Sequence, residues 1–216
     1  MNSTEKEIYY TINNSYSTLN SLTENTKTIW FVCHGLGYLS RYFLKYFKGL
    51  DPNENYIIAP QAQSKYYQSS KFEHVGASWL TKENTGMETQ NVMAYFDAIF
   101  KEEALEDYMS NSKIQFIMFG YSQGVSVAMR YVAKRQLQCS KLVLHSGGIP
   151  NELRKGDLDF FKGEVLFIYG NKDQYITPER LETETIKANT LFGDRLDMIE
   201  FEGVHEVNVQ LINTLV

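Results

Sequence analysis

The 216-residue chain is 43% hydrophobic and 22% charged, an ordinary globular balance with apolar content for one domain and a sizeable core. A net charge of −5 without any block of Lys or Arg excludes the electrostatic footprint of a nucleic-acid binder. The two cysteines, Cys33 and Cys139, fall in separate strand-like segments, too few to hold a metal and read as reduced, buried thiols.

The polar start, Met1 to Glu7, has no apolar core of a secretory signal, and no later run is long enough to span a membrane. A cytoplasmic protein is therefore expected. Residues 5–22 read as a β-hairpin: Glu7 to Ile12, a turn at Asn13-Asn14, then Tyr16 to Leu22. Short, nearly continuous apolar runs follow at Thr28–Cys33, Tyr56–Ala59, Ile114–Phe119, Lys141–Leu144, Val165–Tyr169 and Leu196–Phe201. Such runs suit strands covered on both faces of a parallel sheet.

Between them, helical spacing marks Leu39–Phe47, Thr89–Glu106, Val125–Leu137 and Pro178–Phe192, the last opened by Thr177 as N-cap and proline at the first helical position. The chain closes on an apolar segment, Val207 to Leu215. A hairpin followed by alternating strands and helices predicts a single α/β domain over 1–216, with a mostly parallel twisted sheet and helices on both faces. Gln61 to Met87 reads as a long irregular connection that carries Tyr66, Tyr67, Phe72 and Trp79. The short link from His145 to Val165 excludes a large cap domain there.

Gly120-Tyr121-Ser122-Gln123-Gly124 matches G-x-S-x-G, a pattern that composition alone supplies about 0.06 times in such a chain. It follows an apolar strand and precedes a helix, the placement of a nucleophile elbow in an α/β-hydrolase. A serine hydroxyl needs a base, and the base an acid, in the chain order Ser, Asp or Glu, His. His205 follows the last strand and is the expected base; His145, at the end of an earlier strand, is read as loop packing. Asp173, just beyond the strand Val165–Tyr169, is the expected acid, with Asp157 and Asp159 as alternatives. Backbone N–H groups of Gln123 and Leu36 are the expected oxyanion donors, with Gly37 as second choice in the loop His34-Gly35-Leu36-Gly37-Tyr38. His34 is read as a brace of that loop, and Asp194 and Asp197 as solvated.

His34-Gly35-Leu36-Gly37 together with the elbow resembles the phospholipase/carboxylesterase family that includes acyl-protein thioesterases. Ile58-Ala59-Pro60-Gln61-Ala62, the pair Ser78-Trp79, and Gly170 to Pro178 extend the resemblance over most of the chain. Tyr38 stands where that family carries an acidic residue, and Val125 where a further glycine is usual. The resemblance implies hydrolysis of carboxylic esters or thioesters through an acyl-enzyme on Ser122, without metal or cofactor. Trp79, Gly37 and Tyr38 are the expected substrate-binding residues, with Tyr66 a further candidate. A small-molecule ester or thioester is the expected partner, and a homodimer stays open. A peptidase or lyase using the same triad, or a hydrolase-like binding protein, are the alternatives.

Overall fold

The computed structural model describes residues 3–110 and 113–216; Met1 and Asn2, the first of the polar N-terminal residues, lie outside them. In chain order the elements are β1 (Tyr16–Leu19), β2 (Thr28–Cys33), α1 (Ser40–Phe43), β3 (Asn55–Pro60), β4 (Ser64–Tyr67) and β5 (Val75–Ser78). They continue with α2 (Thr85–Glu102), α3 (Leu105–Met109), β6 (Gln115–Tyr121), α4 (Gln123–Arg135), β7 (Lys141–His145), β8 (Glu164–Gly170), α5 (Pro178–Phe192), β9 (Leu196–Phe201) and α6 (Val209–Ile212). Seven strands form one sheet in the order β1-β3-β2-β6-β7-β8-β9. Six of them run parallel, and β1 is antiparallel to β3 with Tyr16 opposite Pro60.

The buried runs behave as their composition dictates. Every residue of β2 is buried, and alternate side chains serve two different layers. Ile29, Phe31 and Cys33 join the cluster built with α2, α4 and α5, including Phe96, Tyr131 and Leu191. Trp30 and Val32 join the opposite layer with Phe43, Phe47 and Ile212. The period of two along a strand thus feeds a core on each face of the sheet. Phe31 meets Phe96 edge-on at 5.0 Å between ring centres, one of several aromatic pairs that lock α2 onto the strands.

Three expectations are corrected. The N-terminal hairpin does not form: residues 7–12 are neither helix nor strand and are exposed, and only Tyr16–Leu19 pairs, with β3 rather than with its own predecessor. Gln61 to Met87 is not irregular throughout, since β4 and β5 pair antiparallel across the loop 68–74. The long helix begins at Thr85 and ends at Glu102, where Ala104 takes a left-handed conformation (φ 49°) and a separate short helix follows. Both cysteines are free and buried, and burial pushes the Cys139 thiol up to about 12, which leaves it inert. No helix among the described residues is long and apolar enough to cross a membrane. The stretch from His145 to β8 consists of turns, and no cap domain is inserted.

Candidate active site

The carboxyl ends of β6, β8 and β9 open on the same end of the parallel sheet, with β7 between β6 and β8, and this is where the architecture gathers functional groups. Ser122 follows β6 immediately and turns the chain into α4 with φ 53° and ψ −118°, a backbone state that L-residues rarely adopt. The turn closes only because Gly124 has no side chain: a Cβ there would stand 2.0 Å from the Cys33 carbonyl oxygen. The consequence is a hydroxyl held at the amino end of a 13-residue helix, above the N–H groups that begin it.

His205 Nε2 lies 3.0 Å from Ser122 Oγ, and His205 Nδ1 lies 2.7 Å from Asp173 Oδ2. The Asp173 side chain is completely buried, and its other oxygen accepts from the Tyr175 N–H at 2.8 Å. Acid and base meet because the loops after β8 and β9 are laced together: Asn171 N–H donates to the Phe201 carbonyl and Lys172 N–H to the Gly203 carbonyl, each at 2.9 Å. Asp157 and Asp159, the alternative acids, are exposed; Asp157 accepts from the Arg154 N–H in a local turn. Asp194 and Asp197 are exposed as well, Asp197 within β9.

The loop His34 to Tyr38 forms a tight turn in which the Tyr38 N–H donates to the Gly35 carbonyl, with Gly37 at φ +83°, a value suited to glycine. Gly37 N–H is already used, donating to the Ala77 carbonyl of β5 at 2.9 Å, so of the two proposed loop donors it is spoken for. Among the described residues nothing accepts from the N–H of Leu36 or Gln123. His34 is buried; its Nδ1–H donates to the Gly35 carbonyl at 2.8 Å while Nε2 accepts from the Ala62 N–H at 3.2 Å. Burial lowers its pKa to about 4, so it is neutral and serves as a brace.

Trp79, expected on the substrate side, is corrected: it is 0% exposed. Its indole N–H donates to the His34 carbonyl at 2.7 Å, and its ring packs 4.9 Å from the His34 ring, so it supports the loop from within. Gly37 and Tyr38 do border open space, a shallow cavity of about 310 Å³ also lined by Arg41, Gln68 and His74. Tyr66, on β4, is 40% exposed and its hydroxyl approaches Gly37.

Several contacts have no signature in the sequence. The Gln123 side chain accepts from the Trp79 N–H at 2.9 Å and donates to the Leu80 carbonyl at 2.8 Å, clamping the segment after β5. The buried Tyr121 hydroxyl donates to the His205 carbonyl at 3.0 Å, and the Tyr175 ring stands edge-on to the His205 ring at 4.7 Å. The elbow pattern names Tyr121 and Gln123 as positions, but it is indifferent to what their side chains reach.

A family profile described as serine hydrolase (FSH1) matches residues 40–210. No curated protein matches the chain. Among solved structures it is similar to a phospholipase/carboxylesterase from Dyadobacter fermentans, at 19% identity and a TM-score of 0.67 over 96% of this chain and 98% of that one. It is also similar to acyl-protein thioesterase 2 of Zea mays, at 16% identity and a TM-score of 0.64 over 94% and 96%. The carboxylesterase of Bacillus cereus aligns at 14% identity and a TM-score of 0.64 over 93% and 91%. At these identities the likeness establishes a shared α/β-hydrolase fold.

Proposed function

Because the chain belongs to the serine hydrolase (FSH1) family, we propose that it cleaves carboxylic esters or thioesters through an acyl-enzyme on Ser122. The observation that carries this reading is the hydrogen-bonded run Ser122 Oγ–His205–Asp173, seated beside two unoccupied backbone donors. In the first step His205 Nε2 takes the hydroxyl proton as Ser122 Oγ attacks the carbonyl carbon. Negative charge gathers on the former carbonyl oxygen, which the N–H groups of Leu36 and Gln123 receive. Asp173, accepting from Nδ1–H, holds the productive tautomer and offsets the charge of the imidazolium. The imidazolium then protonates the departing alcohol or thiol, and water activated by the same nitrogen releases the acid and restores Ser122.

On the substrate side, Gly37 and Tyr38 border the cavity beside the oxyanion loop and are proposed to contact the substrate. Trp79 is assigned the supporting role its burial dictates. The test is covalent labelling with a fluorophosphonate, followed by a panel of esters, thioesters and aminoacyl amides. Wild-type protein is expected to be labelled and to turn over esters or thioesters. Ser122→Ala should lose the label and at least about 10⁴-fold in turnover. An unlabelled wild-type protein would sink the proposal, and turnover confined to the amides would move it to a peptidase.

A further inference from the structure

His145 stands at the carboxyl end of β7, fully buried, and its side chain takes part in no step described above. Its polar groups nevertheless reach two parts of the site and its own neighbour Ser146. Its carbonyl accepts from the Ser122 N–H at 2.8 Å, which adds a rung to the β6–β7 ladder beyond the pairing of Tyr121 with His145. Its Nε2 accepts from the N–H of Asn208, three residues past the base, at 3.1 Å. A neutral imidazole that accepts at Nε2 carries its proton on Nδ1, and this one donates to Ser146 Oγ at 3.0 Å. Burial lowers the imidazole pKa to about 3, so the ring keeps this one arrangement through the neutral range. Packing fixes it further: Tyr121 and Phe201 meet the ring edge-on at 5.4 and 5.7 Å.

The base sits on a segment without regular structure, between the end of β9 at Phe201 and the start of α6 at Val209. The loop after β8 holds its near side through Phe201 and Gly203, and Tyr121 holds the His205 carbonyl. Its far side is held to the sheet at Asn208, by His145. One residue therefore touches the nucleophile through its backbone and the base-bearing segment through its ring. We infer that His145 is a positioning residue, which fixes the reach between Ser122 Oγ and His205 Nε2 by tying the elbow to Asn208. The catalytic consequence rests on the proposed hydrolase reading; the geometric one does not.

Three substitutions test it. In His145→Gln the side-chain amide extends to where Nε2 stood and can still accept from Asn208; in His145→Asn it reaches only the place of Nδ1 and faces Ser146. His145→Phe fills the space and accepts nothing. The rate of fluorophosphonate labelling and kcat, both expressed per active site titrated, remove any loss of folded protein from the comparison. The Asn and Phe variants are expected to fall about 10- to 100-fold in both, the cost of a misplacement of about 1 Å, with KM within about twofold. The Gln variant should stay within about threefold of wild type. Wild-type rates in all three variants would overturn the inference, and so would an equal loss in all three, Gln included. If His145→Asn does not fold, the Gln and Phe variants carry the same contrast. Crystal structures of the variants separate the two proposals: a Ser122–His205 separation unchanged from 3.0 Å without the Asn208 bond refutes the positioning role, whereas a wild-type protein that resists labelling refutes the hydrolase reading.

Discussion

The two sides of the candidate site are built differently. On one side Ser122 and Asp173 hang from the ends of buried parallel strands and His205 from the end of the edge strand β9 beside them, and the connections between them are short. On the other, the oxyanion loop leans through Gly37 on the β4–β5 hairpin, which is paired only with itself and is largely exposed. Gln68 of the loop between those strands donates to the Gly37 carbonyl at 2.6 Å, and Ala77 receives the Gly37 N–H. The side that carries Ser122, His205 and Asp173 inherits its precision from the core. The side proposed to meet substrate inherits its shape from a small surface element, the part of such a fold freest to change without harming the sheet.

Substitutions that act on one side only would break or sharpen this contrast. The largest effect is expected from Asp173→Asn, which keeps the buried shape but favours the wrong His205 tautomer. It should lower kcat by about 10⁴-fold while circular dichroism and the thermal midpoint stay near wild type. Activity close to normal would move the acid elsewhere. An intermediate effect is expected on stability with pH, because a buried neutral histidine braces each side: His34 beneath the oxyanion loop and His145 behind the elbow. Their folded pKa values, about 4 and about 3, lie below the ordinary 6.5, so the unfolded chain binds protons first as pH falls. Their contribution is complete above pH 6.5 and is lost as pH falls toward 4 and 3, at about 1.4 kcal/mol per pH unit for each histidine. Urea denaturation at pH 7 and pH 5 measures this; equal midpoints would contradict the buried, neutral assignments. The smallest effect is expected from Gln68→Ala, which frees the Gly37 carbonyl on the exposed side. It should cost about 2- to 10-fold in kcat/KM and leave the urea midpoint unchanged.

The same division governs what the sequence makes legible. Strand ends followed by Gly-x-Ser-x-Gly and by Asp173 are visible because a buried parallel strand must be a continuous apolar run, and functional groups follow its carboxyl end; β9, the edge strand before His205, is visible through Met198, Ile199 and Phe201 although Asp197 and Glu200 are exposed. The hairpin was hidden. Ser64-Lys65-Tyr66-Tyr67 and Val75-Gly76-Ala77-Ser78 are short and only partly apolar, and they pair only with each other. Residues 7–12 mislead in the opposite sense: Ile8, Tyr10 and Ile12 alternate like a strand, yet the edge of β3 is taken by Tyr16–Leu19, and among the described residues they pair with no strand. Trp79 misled because a tryptophan in a polar stretch suggests a platform for ligand. A buried indole with a carbonyl for its N–H is satisfied internally, and nothing in the local pattern reveals that carbonyl. His145 was read as packing, and its packing is what links the elbow to Asn208.

The left-handed backbone at Ser122 has a consequence for the whole molecule. A non-glycine residue in such a state costs about 1–3 kcal/mol, a large fraction of the roughly 5–15 kcal/mol that separates a folded domain from its unfolded chain. Part of the offset is local, from the Ser122 N–H to the His145 carbonyl and the Val125 N–H to the Ser122 carbonyl, and the rest comes from the sheet, where β6 enters the turn fixed in register between β2 and β7 before α4 leaves it. The aim of one hydroxyl is thus maintained by residues as distant as Phe31 and Phe96. Damage to that distant packing should show itself as lost reactivity before it shows itself as lost structure.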